Sequence, residues 1–470
     1  MTEPKIGDLF AVKLKRRDTY FTTQILSAQR GLVALVLDGF TSAPPGLKEA
    51  AKLKPFYFDH HFWKRGEFYL GTDEILDAEP IFIGNAALIC EPPECVSLQS
   101  IEQIYMQLAW NELPKEIRAK FKSARKQKLE ISQPQSREFY ADLARQNPFC
   151  YEIKSKIWDE NLKNFLEATP MMTQLELSCA GKSLDISCTH LQQLVLHASG
   201  TEEITLNGSL WRLVINGDIA RLKSVRCPFD GELLSVQLEL NGGGFCIRGL
   251  GKLRDLQIFS QRGECIDLAR VAASFPNLRE IFINAQGGTL KNIDALAKFK
   301  HLKDVWLSEV YGFERFPTRA QLPHIKRLCF WSVPKGACEA ARAQFKDIES
   351  LVIRQPRSKQ WLALNLNNPL RSWDGREGVG AATARKAMRA YAGAHKKLSA
   401  LEAKPASNEL KTEKTEILKE FIAVFNAIDA KHSIDTMERD EIWEAFCKLA
   451  ELAAVDVKSQ ERIWEQNAQF

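Results

Sequence analysis

The sequence has no apolar run near the ~18–20 residues of a membrane-crossing helix, and no charged-then-apolar leader follows Met1, where the chain reads TEPKIGDLF. These absences predict a cytoplasmic protein with no membrane partner. Strong charge of one sign is missing too. Lys and Arg number 64 against 59 Asp and Glu, leaving +5 on 470 residues, so the concentrated basic footprint of a nucleic-acid binder is not expected. One local basic run, Lys120–Lys128, reads as a solvated helix face. Eleven cysteines are scattered without a C-x-x-C pair, which argues against a disulfide framework or a zinc site and for small buried hydrophobes. The phosphate-loop, zinc-protease and nucleophile-elbow patterns are absent. The glycine run Asn241–Cys246 has no Lys-Ser/Thr after it and reads as a turn or bulge inside a repeat. The nearest approach to a metal cluster is Asp59-His60-His61, but adjacent residues of a strand face opposite ways, so both imidazoles are not expected on one ion. No cofactor, metal or small-molecule substrate is predicted, and no enzymatic activity.

What is present is ordinary globular composition, 45% apolar and 26% charged, on a chain long enough for several cores. Its strongest signal is a repeat. KLRDLQI, NLREIFI, HLKDVWL, HIKRLCF and DIESLVI share the L-x-x-L-x-L spacing, led by Leu253, Leu278, Leu302, Ile325 and Ile348 at intervals of 25, 24, 23 and 23. Earlier copies are led by Met172, Leu191 and Leu210 at intervals of 19, with Glu232–Leu238 a further match and Arg221–Cys227 a short one. The spacing buries alternate residues of a short strand, and its recurrence predicts a leucine-rich-repeat solenoid. Between the later strands, IDLARVAASF, IDALAKFKHL and KGACEAARAQF place apolar residues at helical spacing. The earlier repeats are too short for helices and predict extended or turn-like backs.

The expected fold is therefore multidomain α/β. Residues 1–96 alternate apolar and polar residues between glycines and predict a small antiparallel, barrel-like β domain. Residues 97–158 predict a helical connector, 159–360 the solenoid and 361–470 a helical C-terminal domain. Helices are drawn over about Ala381–Glu402, Lys411–Ala430, Met437–Ala453 and Lys458–Gln466, with Thr436 as an N-cap. Trp443, Phe446, Leu449 and Leu452 form an apolar stripe on the third.

With no chemistry motif, the candidate site is a surface. Positions three, five and seven of each repeat face outward on the concave sheet. They bring together Phe259, Phe282, Trp306 and Trp331, beside the acidic line Asp255, Glu280 and Asp304, with Arg327 next in that row. Aromatic anchors rimmed by charge are the anatomy of a protein-binding hot spot; the alternative is that a loop or the C-terminal helices cover the same aromatics.

The segment KIGDLFAVKLKRRDTYFTTQILS, then LVALVLDGF, FWKRGEFYLG and PIFIG, resembles the immunity-protein-26 family of bacterial polymorphic-toxin systems. The likeness rests on the Gly7–Val12 opening, a strand ending in Asp38 and Trp63 before the final strands, and covers about the first ninety residues. KRRDTYF stands where that family often has a G-Y-G-type loop. The resemblance implies a non-enzymatic bacterial immunity protein that binds and neutralises a cognate toxin or effector. Two alternatives stay open. One is an injected leucine-rich-repeat effector with a ubiquitin-ligase-like C-terminal domain acting through Cys447; the other is a general protein-binding scaffold.

Overall fold

The computed structural model describes residues 3–470 apart from 29–30, 62, 124–127, 147–150, 171, 199, 241–243, 261–262, 403 and 406. Part of the basic run Lys120–Lys128 and the first three residues of Asn241–Cys246 lie outside the described residues. The chain is mixed α/β, with a large parallel sheet and a run of helices at its C-terminus. It divides into two compact units: residues 1–257 with 274–276, and residues 258–273 with 277–470.

The first unit opens with five antiparallel strands. Their spatial order is Tyr69–Gly71, Gly31–Thr41, Thr19–Ala28, Asp8–Leu14, Ile81–Asn85. The expected barrel-like closure is not formed, and the sheet is open. A barrel has one interior, whereas this sheet is sealed on two faces by separate apolar groups. Phe10, Val12, Leu14 and Phe21 belong to one core; Leu9, Leu26, Leu35 and Leu37 belong to the other. Successive strand residues point to opposite faces, so the unbroken apolar stretch Leu9–Val12, all buried, feeds both. The turn after the first strand carries Arg16, whose guanidinium donates to the carbonyls of Ser209 (2.9 Å), Leu210 (3.1 Å) and Leu233 (2.7 Å). One side chain thereby ties the antiparallel sheet to the starts of two parallel strands.

Those parallel strands run in the order Lys128–Ile131, Glu152–Ser155, Gln174–Leu177, Gln193–His197, Arg212–Gly217, Ser235–Leu240. Register aligns the repeat: Ile153, Leu175, Leu194, Leu213 and Val236 are consecutive partners, and each is essentially inaccessible to water. Burying a Leu or Val contributes at most about 1.5–3 kcal/mol, so a misregistered strand would lose several such terms at once. The segment read as a helical connector does contain helices, Ile101–Glu112, Lys115–Ser123 and Arg137–Gln146, but it also supplies the first two strands of this row. Behind the row, Ser183–Asp185, Glu203–Thr205 and Ser224–Arg226 form a small parallel sheet of their own, the extended backs expected of short repeats. The weak match Arg221–Cys227 belongs to this back sheet and not to the front row. Buried Asn207 joins consecutive turns, donating to the carbonyls of Thr189 and Leu191 and accepting from the Leu210 amide.

In the second unit the strands Glu280–Lys291, Asp304–Tyr311, Arg327–Trp331 and Ser350–Arg354 pair in sequence order, all parallel. Ile281, Val305, Leu328 and Leu351 are in register, as are Ile283, Leu307, Phe330 and Ile353. The connections carry the α-helix Lys335–Gln344 and a 3₁₀ segment at Ile293–Lys298. A left-handed, non-glycine residue recurs once per rung, inside the two longer strands at Gln286 and Glu309 and just after the two shorter ones at Ser332 and Gln355. Such residues are uncommon, and their 23-residue interval follows the repeat.

The C-terminal helices are Ala381–Leu401, Asn408–Asp429, Thr436–Leu452 and Val457–Asn467, built around Trp373, Phe421, Phe425, Phe446 and Trp464. The third helix is capped by Asp435 and not by Thr436: the Asp435 carboxylate accepts from the Glu438 amide at 2.8 Å and the Glu438 side chain returns to the Asp435 amide. That reciprocal pair meets two of the helix's orphan donors.

Candidate functional site: the open sheet face of the second unit

With Ile281, Ile283, Val305 and Leu307 turned inward and buried, strand alternation turns Phe282 and Trp306 out. They are register partners on adjacent strands, and their ring centroids lie 5.5 Å apart at 57°. Phe259 continues the stripe, 5.2 Å from Phe282 at 39°. These are the tilted, offset contacts that aromatic quadrupoles favour. The C-terminal helices do not seal the stripe. Phe259 and Phe282 are half-buried, and Trp306 keeps 46% of its surface exposed.

The charged residues divide. Arg327 grips Asp304 with two hydrogen bonds, Nε to Oδ1 at 2.9 Å and Nη2 to Oδ2 at 2.5 Å. The pair is partly solvated and contributes little to stability, about 1 kcal/mol or less, but it presents a fixed polar edge beside Trp306. Glu280 is exposed. Asp255 belongs to the first unit, where it accepts a hydrogen bond from the Ser235 hydroxyl at 2.5 Å, and burial pushes its carboxyl above the ordinary value. Trp331 is a further step along the face: it partners Ser308, and the Arg354 guanidinium lies over its ring at 5.5 Å.

Comparison with protein-family models and with curated proteins returns no match to this chain. The site is therefore described by its own geometry.

The two other sequence candidates have specific surroundings. His60 and His61 are not on a strand. His61 has a left-handed backbone (φ 54°), and this turns the two rings toward each other, with Nδ1 atoms 3.0 Å apart. The opposite-faces expectation is thus overturned by one backbone angle. Burial lowers the pKa of His60 to about 3 and of His61 to about 4, so both are neutral near pH 7 and one Nδ1 donates to the other. Trp110 and Phe121 pack on His61 at 5.3 Å each. Among the described residues no group of three or more His, Cys, Asp or Glu is placed to hold a metal. Cys447 is half-buried; burial, then Glu451 and Glu444, hold its thiol above the ordinary value. A nucleophilic cysteine needs the reverse.

Sequence reasoning places Arg354 outward at position seven of the last repeat but did not single out Arg357, Trp361, Arg371 or Asp374, which lie with it around one cleft. Their signal was the density of arginine and tryptophan in RQPRSKQW and PLRSWDGRE just past the last repeat.

Proposed function

We propose that this chain binds a protein ligand, and that the open sheet face of the second unit is where the ligand sits. The observation that carries the reading is Trp306, exposed at the end of a three-ring stripe that the fold gives no structural reason to leave uncovered. Large aromatics in the centre of a face, flanked by a paired Asp304–Arg327 edge, suit a desolvated anchor with a polar rim. The repeat spacing supports a leucine-rich-repeat solenoid as the scaffold of that face. The likeness of the first ninety residues to the immunity-protein-26 family supports a finer reading, in which the ligand is a toxin or effector of a bacterial polymorphic-toxin system, neutralised in the cytoplasm by occlusion and without catalysis. The raised Cys447 thiol disfavours the ligase-like alternative.

The test is to read the genes beside this one for a toxin-domain polypeptide, whose absence counts against the immunity reading, and to co-express the chain with it. Rescue of growth, with recovery of a stoichiometric complex, is expected. Failure of both removes the immunity reading. Capture of a different, non-toxic partner on the same face would place the chain with general scaffolds.

A further inference from the structure

Beside the aromatic stripe lies a cleft of about 440 Å3, within the size range of ligand sites, and lined by residues of the second unit alone. It is formed at the carboxyl ends of the strands Asp304–Tyr311, Arg327–Trp331 and Ser350–Arg354 and closed by the segment Arg371–Glu377. Two arginines are its frame. Buried Arg357 donates to the Ser332 hydroxyl at 2.8 Å and to the Gln355 side chain at 2.6 Å, pairs with Asp374, and stacks on Trp361 at 4.0 Å. Buried Arg371 donates to the carbonyls of Leu366 and Gln286 and pairs with Glu309 at 3.3 Å. Arg376, also lining, is bound to Glu441 at 2.5 Å. Gly375 has φ +88°, a left-handed backbone that favours glycine.

Arg354 differs. It is exposed, its charge lies over Trp331, and among the described residues no carboxylate is in ion-pair contact with it. An exposed guanidinium over an indole, with no carboxylate in ion-pair contact among the described residues, has N–H groups left for a planar, two-oxygen acceptor. The half-buried Trp331 and Trp361 offer apolar walls beside it.

We infer that this cleft is a subsite for an acidic peptide segment: a carboxylate pairs with Arg354 while a neighbouring apolar side chain lies against Trp331 and Trp361. The inference rests on the reading of the chain as a protein binder and names the chemistry of one part of its partner. It is tested on the full chain by fluorescence anisotropy of a dye-labelled peptide of alternating Glu and Leu, against the same peptide with Lys for Glu. The Glu peptide is expected to bind, to weaken as salt is added, and to lose about tenfold or more in affinity in Arg354→Glu, with Arg354→Lys intermediate. No binding, equal binding of the Lys peptide, or an unchanged affinity in Arg354→Glu overturns it. The far-ultraviolet circular dichroism of each variant, expected unchanged because Arg354 is exposed, shows that a loss is not unfolding. If Phe282→Ala/Trp306→Ala abolishes capture of the protein partner while Arg354→Glu leaves it intact, the protein-binding reading stands and this inference falls.

Discussion

The two units build their parallel strands on the same inward rule and dress the outward face differently. In the first unit the outward residues are mostly polar, with Val195 and Val214 the apolar members of the middle row, and several pair with one another. Lys154 pairs with Glu176 at 2.6 Å, His197 approaches the same carboxylate, and Arg212 and Glu239 both reach Gln237. In the second unit the corresponding rows hold Phe282, Trp306 and Trp331, beside the ion pair Asp304–Arg327. Inward positions are fixed by burial and are alike in both. Outward positions answer to whatever faces them. A polar, self-paired face needs no ligand, whereas an aromatic face is costly in water unless something covers it.

That contrast can be broken at its strongest point first. Replacing Phe282 and Trp306 together by Ala is expected to weaken partner binding by about 4 kcal/mol or more, on the order of 2 from each anchor. Replacing Gln193 and Gln237 on the first unit's face is expected to change it by less than about 0.5 kcal/mol. Equal losses would erase the distinction.

The inward rule predicts the reverse, namely equality. Leu196→Ala and Leu307→Ala remove fully buried side chains at the same position of their repeats, and each should destabilise its unit by about 2–5 kcal/mol in chemical denaturation. A small loss at either would mean that strand is not held by its core.

A pH titration separates the units by another route. His60 and His61, both in the first unit, have folded pKa values of about 3 and about 4 against an ordinary 6.5. The unfolded chain therefore binds protons that the folded one excludes. Stability is full above about pH 6.5, falls as pH drops toward 4, and stops falling from this source below about 3. The slope is at most about 1.4 kcal/mol per pH unit per histidine. Near the pair stand Asp59, which favours the charged form of His60, and Lys122, which disfavours it. His61→Phe should flatten the profile between pH 4 and 6.5; an unchanged profile would mean that other groups carry it. The smallest effect is expected from Arg327→Ala, about 1 kcal/mol or less in stability, read by thermal denaturation.

How far these features were visible beforehand depended on whether a local pattern had one structural meaning. L-x-x-L-x-L at a steady interval did, and Phe282 and Trp306 were placed outward from spacing alone. The same period-two alternation misled at Arg221–Cys227, because a back strand buries Val225 as a front strand buries its leucines. Lys128–Ile131 and Glu152–Ser155 were invisible as strands: four residues with two charges each carry too little periodicity, and only pairing with neighbours forms them. The open N-terminal sheet was misread because closure depends on which edges meet, and a run such as Leu9–Val12 reads alike whether one or two cores receive it. The His60–His61 contact required a positive φ that no spacing announces. Of the cleft's arginines, Arg357, Arg371 and Arg376 lie beyond the last repeat, where no period was left to follow.

The most direct test is isothermal titration of the chain and its Phe282→Ala/Trp306→Ala variant with the protein ligand proposed for this face. The account predicts that the double variant binds on the order of a thousandfold more weakly with its fold intact. An affinity unchanged within error would contradict it and move the interface off this face.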